Sequence, residues 1–166
     1  MGVSATLAEL ERLYLQRFPE YLRVATALTG SVESGREAVH DGFVNAVRSR
    51  SQFRGRGTLD GWVWKAVVNS ALSRQRHDRL RPAQGLEDVS EPVSDLPPDA
   101  EVLADVRSAL SALPQRQRVA LFLRYYADLD YRSIADVTGV SEGTVGATLH
   151  AAHKALREHL KEVPVP

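Results

Sequence analysis

The segment from Asp130 to Leu160 leaves little freedom in how it folds. Ala135, Gly139 and Ser141 fall where two helices crossing around a short turn make their demands. The crossing needs a small residue, the turn needs a residue able to take positive φ, and the second helix needs a cap. The Ser141 hydroxyl can accept from a free N–H about three residues on, near Thr144. Behind the cap, Val145, Leu149, Ala152, Leu156 and Leu160 recur at spacings of four, three, four and four, an apolar stripe suited to packing on Ile134 and Val137. Cap, turn and stripe agree in register, which an arbitrary helical bundle does not require. The segment is therefore expected to form a helix-turn-helix, with its outward face shaped for a DNA major groove. That face carries Gly146, Ala147, Thr148, His150, Ala151, His153 and Lys154, with only one fixed positive charge among them. Its shape points to DNA more firmly than its chemistry does.

The rest of the chain reads as all-α. Helical periodicity is expected from about Thr6 to Arg17, Glu20 to Thr29 with a stop at Gly30, Ser34 to Arg50, and Leu59 to Arg79. It resumes at Ala100 to Leu113, Gln115 to Ala127, Tyr131 to Thr138 and Glu142 to Lys161, and no stretch shows the sustained alternation of a strand. Between the two groups lie Pro82, Pro92, Pro97 and Pro98 with almost no apolar periodicity, a composition that breaks helices. Two small helical domains, 1–81 and 102–166, are expected on either side of a linker over 82–101. The chain has no cysteine, which removes disulfides, thiolate metal sites and thiol nucleophiles and is compatible with a reducing, cytoplasmic setting. No basic segment followed by an apolar run opens the chain and no window is apolar enough to span a bilayer, so neither secretion nor membrane insertion is expected.

A net charge of zero hides strong segregation. From Arg48 to Arg81 there are nine Lys/Arg against two acids, a balance of +7; from Pro82 to Glu101 there are six acids and no Lys/Arg, a balance of −6. The first is a polyanion-binding balance. Within it, at about 100° per residue, Trp62, Lys65, Asn69 and Arg76 share a strip about 60° wide, apart from the apolar face of Val63, Val67 and Ala71. An aromatic, an amide and two cations on one strip suit single-stranded or partly melted nucleic acid, because bases stack on rings, cations follow phosphates and an amide reads a base edge. Asn69 is the residue most expected near a base. The preceding loop, Ser51 to Thr58, adds Phe53, Arg54 and Arg56 on a backbone loosened by Gly55 and Gly57. Plainer readings compete: Trp64 points toward the apolar face as a core residue, Trp62 could serve either role, and Arg74, Arg76 and Arg79 could be a solvated helix end favoured by the dipole. An enzymatic reading would use His40-Asp41, His77-Asp78, or His150 and His153 at helical spacing, but no carboxylate or cysteine completes a metal site beside the last pair. No cofactor, metal site or catalytic residue is expected.

At this point the chain, over about Leu10 to Leu160, resembles the extracytoplasmic function sigma factors, the smallest sigma-70-type initiation factors, built of a σ2 domain, a linker and a σ4 domain. The resemblance rests on Ala38 to Ala46, Gly61 to Asn69, Leu113 to Arg118, and Tyr131 to Leu160. It implies that the helix carrying His40, Asp41, Phe43, Val44 and Asn45 docks on the β′ clamp helices of core RNA polymerase. It implies that Phe53, Arg54, Arg56, Trp62, Lys65, Asn69, Arg74 and Arg76 melt and hold the −10 element. The σ4 domain would meet the β flap and, through Ser141, Glu142, Thr144, Thr148, His150 and Lys154, the −35 duplex of promoter DNA. The acidic linker would run toward the RNA exit path, as a nucleic-acid mimic or as a solvated tether. An anti-sigma factor is a further possible partner. The chain departs from the family pattern at His40, where Gln is common, and at Gly146, Ala147, Thr148 and Ala151, where Lys, Ser, Arg and Arg are common. Losing those cations weakens expected duplex binding by orders of magnitude at moderate salt. That leaves a second expectation: a σ-derived adaptor that binds polymerase and relies on another protein for DNA targeting.

Overall fold

A computed structural model describes residues 4–80 and 100–161. These form seven α-helices and one 3₁₀ turn, with no strand among the described residues. The sequence-expected linker over 82–101 falls almost wholly outside them. α1 (Leu7–Thr29) opens with a capping box: Glu9 N–H donates to Thr6 Oγ1 at 3.2 Å, and Thr6 N–H donates back to Glu9 Oε2 at 2.8 Å. It ends where Gly30 turns left-handed at φ 90°. The two helices expected over this stretch are one, because α1 continues through Pro19. Proline removes one N–H from the ladder, and Leu15, whose carbonyl lies four residues back, has an exposed side chain. The interruption thus falls toward solvent while Tyr21, Val24, Ala25 and Leu28 stay buried.

α2 (Val32–Arg48) starts at the Ser31 cap; a 3₁₀ turn (Arg50–Gln52) and the glycine-containing loop lead to α3 (Leu59–Leu80). α1, α2 and α3 pack around Tyr21, Trp64, Val39, Val63 and Val67. Aromatic rings fix the centre: Tyr21 lies 4.5 Å from Trp64 and 5.3 Å from Phe43, and Tyr14 meets Phe43 edge-on at 4.9 Å. α2 and α3 approach so closely at Gly42 that a Cβ there would stand 2.7 Å from the Val67 Cα.

The second group is α4 (Ala100–Ala112), α5 (Gln115–Tyr125), α6 (Tyr131–Thr138) and α7 (Glu142–Lys161). α6 and α7 are the expected helix-turn-helix. Gly139 takes φ 73° in the turn and Ser141 Oγ accepts from Thr144 N–H at 3.1 Å, as the sequence required. The structure adds a cap on α6 that the sequence reading did not name, Asp130 Oδ1 accepting from Ser133 N–H at 2.8 Å. Val145, Leu149 and Ala152 are buried with Ile134, Val137 and Leu123, whereas Leu156 is only partly buried and Leu160 is exposed, so the stripe frays over its last turn. The two groups share one core: α6 packs on α3 and α5 on α1.

Candidate nucleic-acid interface

The α3 strip is set by the buried face behind it. Val63, Trp64, Val67, Val68 and Ala71 point into the bundle, which turns Lys65, Asn69 and Arg76 outward, all exposed. Trp64 is thereby the core residue. Trp62 is half-buried, its ring 5.7 Å from Phe53. Phe53 is itself buried, at 8% exposure, so of the loop residues grouped with it only Arg54 and Arg56 stand free on the surface. Gly55 and Gly57 adopt φ of 70° and 76°, which lets the loop turn back to the Thr58 cap of α3.

Arg74 has another commitment. Its Nε and Nη2 donate to Asp41 Oδ2 at 3.0 and 2.6 Å, and its Nη1 pairs with Glu37. Burial works against its charge, but hydrogen bonding to Asp41 and the attraction of Asp41, Glu37 and Asp78 outweigh it and raise its pKa. Arg74 therefore ties α3 to α2 instead of extending from the strip. The same bridge occupies Asp41. Of the other α2 candidates, His40 and Asn45 are exposed, Val44 is half-buried, and Phe43 is turned into the aromatic core.

On α7, Glu142, Thr144, His150 and Lys154 are exposed and Thr148 is half-buried. Two hydroxyls serve the helix first: Ser141 caps it, and Thr148 Oγ1 donates to Thr144 O at 2.7 Å. His153 Nε2 lies 2.8 Å from the Tyr125 hydroxyl.

What the sequence did not reveal is how these faces meet. Lys65 and Asn69 of α3 line the same cavity as Gly139, Thr144 and Thr148 of the helix-turn-helix, about 310 Å³ in volume. Asp136 of α6 lies over the loop before α3, its carboxylate 3.6 Å from where a Cβ on Gly57 would stand, where the positive end of the helix favours an anion. Arg17 joins the groups a second time, pairing with Asp60 and donating to the Ala127 carbonyl at 3.4 Å. Tyr21 donates to the other Asp60 oxygen at 2.8 Å; burial, then the Asp60 charge and that hydrogen bond, raise the Tyr21 pKa well above a free phenol's. Arg17 and Ala127 are 110 residues apart, so no local pattern could have disclosed this tie.

A helical chain with a basic, partly aromatic strip and a helix-turn-helix belongs to the class of nucleic-acid-binding regulators. Comparison with known proteins sharpens that class. Residues 13–81 match the model of sigma-70 region 2, and residues 103–156 match that of sigma-70, region 4. The chain is 33% identical over 138 residues to the ECF RNA polymerase sigma factor SigM of Mycobacterium tuberculosis, covering 81% of this chain and 68% of SigM. It is 28% identical over 166 residues to SigE of Mycolicibacterium smegmatis, covering 96% of this chain and 64% of SigE. It is 27% identical over 144 residues to SigV of Bacillus subtilis, covering 85% and 84%. The fold is that of CnrH solved in complex with the cytosolic domain of CnrY (TM-score 0.73, 18% identity, covering 96% of this chain and 92% of that one). It is also that of RpoE solved with the anti-sigma factor NepR from Bartonella quintana (TM-score 0.70, 22% identity, 95% and 100%). The chain belongs to the extracytoplasmic function sigma factors of RNA polymerase, with a polymerase-binding, promoter-recognising role in transcription initiation. Sigma factors are initiation factors, not enzymes. Among the described residues no helix is long and apolar enough to cross a membrane.

Proposed function

We propose that this sigma factor divides its work between a σ2 domain over 1–81 and a σ4 domain over 102–166, joined by the acidic connector 82–101. His40, Val44 and Asn45 of α2 dock on the β′ clamp helices, and the σ4 domain docks on the β flap. Lys65, Asn69 and Arg76, with Trp62 and the loop cations Arg54 and Arg56, melt and hold the nontemplate strand of the −10 element. Phe53, Asp41 and Arg74 support that surface from behind: Phe53 backs Trp62, and Asp41 with Arg74 holds α2 against α3. The −35 side uses Ser141, Glu142, Thr144, Thr148, His150 and Lys154. The protein works in the cytoplasm, where polymerase is, and performs no catalysis of its own.

The observation that carries this reading is the exposed strip of Lys65, Asn69 and Arg76 within the region 2 match. Both DNA faces line one cavity of about 310 Å³, and a duplex whose major groove alone is about 12 Å wide does not enter such a space. The two groups therefore separate on promoter binding, and an anti-sigma partner would act by preventing that separation. The test is transcription by core polymerase with this protein on DNA that co-purifies with the complex. A transcript that starts at a defined position and is lost on Asn69→Ala is expected; none on any recovered fragment defeats the reading.

The sparse charge of α7 favours one second reading, a polymerase-bound adaptor brought to DNA by another protein. Gly146→Lys with Thr148→Arg separates the two. A large gain in promoter binding marks a weakened but direct −35 contact, and no gain marks the adaptor.

A further inference from the structure

On another side of the molecule, a groove of about 560 Å³ lies between the α1–α2 corner, the end of α3, α4 and α5, and Arg79, Arg107 and Arg118 all line it. Arg118 is the anomaly: it is only 8% exposed, and among the described residues no carboxylate pairs with it. Its Nη1 donates to the Ser111 carbonyl at 2.9 Å. Burial, and then the nearby charge of Arg79, push its pKa down. A buried cation beside a like charge is costly unless an anion compensates it.

Gln75 of α3 lines the groove as well, and its Oε1 is buried with no hydrogen-bond partner among the described residues. An amide presents a donor once its oxygen and nitrogen exchange places. The groove also has an aromatic wall. Tyr126, 42% exposed, lies parallel to the buried Phe122 at 5.4 Å, with 11° between the planes. Phe122 holds that ring as a platform for a second flat ring.

We propose that this groove binds a nucleoside polyphosphate, its phosphates on Arg79, Arg107 and Arg118 and its base on Tyr126. Three guanidiniums match an anion of several charges, because each can meet a phosphate through two parallel N–H donors. Stacking then separates a nucleotide from a bare polyphosphate. The site lies apart from the strip on α3 and from the outward face of α7, so it does not depend on the promoter-binding reading.

Calorimetry on the full chain alone, without polymerase or DNA, tests the proposal at low salt with ATP, pyrophosphate and adenosine as probes. ATP binds most tightly, and pyrophosphate about ten-fold more weakly for want of stacking. Arg79→Gln and Arg107→Gln, both at exposed positions, each weaken ATP about ten-fold. Tyr126→Ala brings ATP down to the pyrophosphate level and leaves pyrophosphate unchanged. No heat from ATP at millimolar concentration overturns the proposal, as does an affinity that neither arginine substitution moves. Binding that emerges only after the six acids of 82–101 become amides also overturns it, since the groove would then be satisfied by the chain's own connector.

Discussion

Lys65, Arg74 and Arg76 lie within twelve residues on one basic helix, yet the structure gives them different electrostatic roles, and salt dependence can tell them apart. Lys65 and Arg76 are exposed and pair with no carboxylate of the described residues, whereas Arg74 is held by Asp41 and Glu37. Each cation that neutralises a phosphate of a single strand steepens the fall of log K with log salt by about 0.7. Lys65→Ala should therefore flatten that slope by about 0.7, and Lys65→Ala with Arg76→Ala by about 1.4. Between roughly 50 and 200 mM salt this is about 2.6-fold per contact, so the double variant's deficit against the parent shrinks about seven-fold across the range. Arg74→Gln should leave the slope unchanged. Its cost falls on the α2–α3 bridge, on the order of 1 kcal/mol of stability once solvent screening is allowed for. The assay is fluorescence anisotropy of polymerase carrying each variant on a single-stranded −10 oligonucleotide, over a salt series. Equal flattening by Arg74→Gln and Lys65→Ala would refute the assignment of Arg74 to structure.

Two further predictions concern the scaffold. A methyl group at Gly42 would stand 2.7 Å from the Val67 Cα, and backbone cannot swing aside as a side chain can. Overpacking of about 1–3 kcal/mol exceeds the gain of about 1 kcal/mol from replacing a helical glycine, so Gly42→Ala should lower Tm by several degrees; a rise in Tm would show that α2 and α3 can part without penalty. At the start of the helix-turn-helix, Ser133, through its side chain and then its backbone N–H, holds the Asp130 pKa below the usual carboxylate value. A lowered folded-state pKa gives stability that is present above the unfolded-state pKa and lost as pH falls through the folded one. The Tm advantage of the parent over Asp130→Ala should thus be full at neutral pH and begin to shrink only as pH falls below about 4, while Asp130→Asn, which does not titrate, should hold more of its Tm in acid than the parent does.

The local structure was legible in the sequence because its causes are local. A small residue, a turn glycine and a serine cap in register admit one arrangement of α6 and α7, and Ala135, Gly139 and Ser141 occupy it. The break expected before Pro19 failed for a physical reason: proline costs a hydrogen bond, but burial of Leu10 on one side and of Tyr21 and Val24 on the other keeps the helix continuous across it. The strip on α3 was legible as a stripe, since periodicity shows which residues share a face. Arg74 does not share that face: its spacing puts it on the side of Val63 and Val67, but only the structure shows that Asp41, 33 residues away, takes its guanidinium. Phe53 likewise reads as a loop aromatic until Trp62 covers it.

The closed arrangement has the same origin at longer range. Among the described residues its polar contact is Arg17 on the Ala127 carbonyl, added to apolar packing of α6 on α3. The Ala127 contact, at 3.4 Å, is a long hydrogen bond, and such bonds contribute little net stability. Asp136 stands near the positive end of α3, its carboxylate 3.6 Å from where a Cβ on Gly57 would be, a place that would also draw an incoming phosphate. On the −10 reading proposed above, a strand arriving at α3 would meet that carboxylate only while the two groups stay together, so its binding would favour their separation.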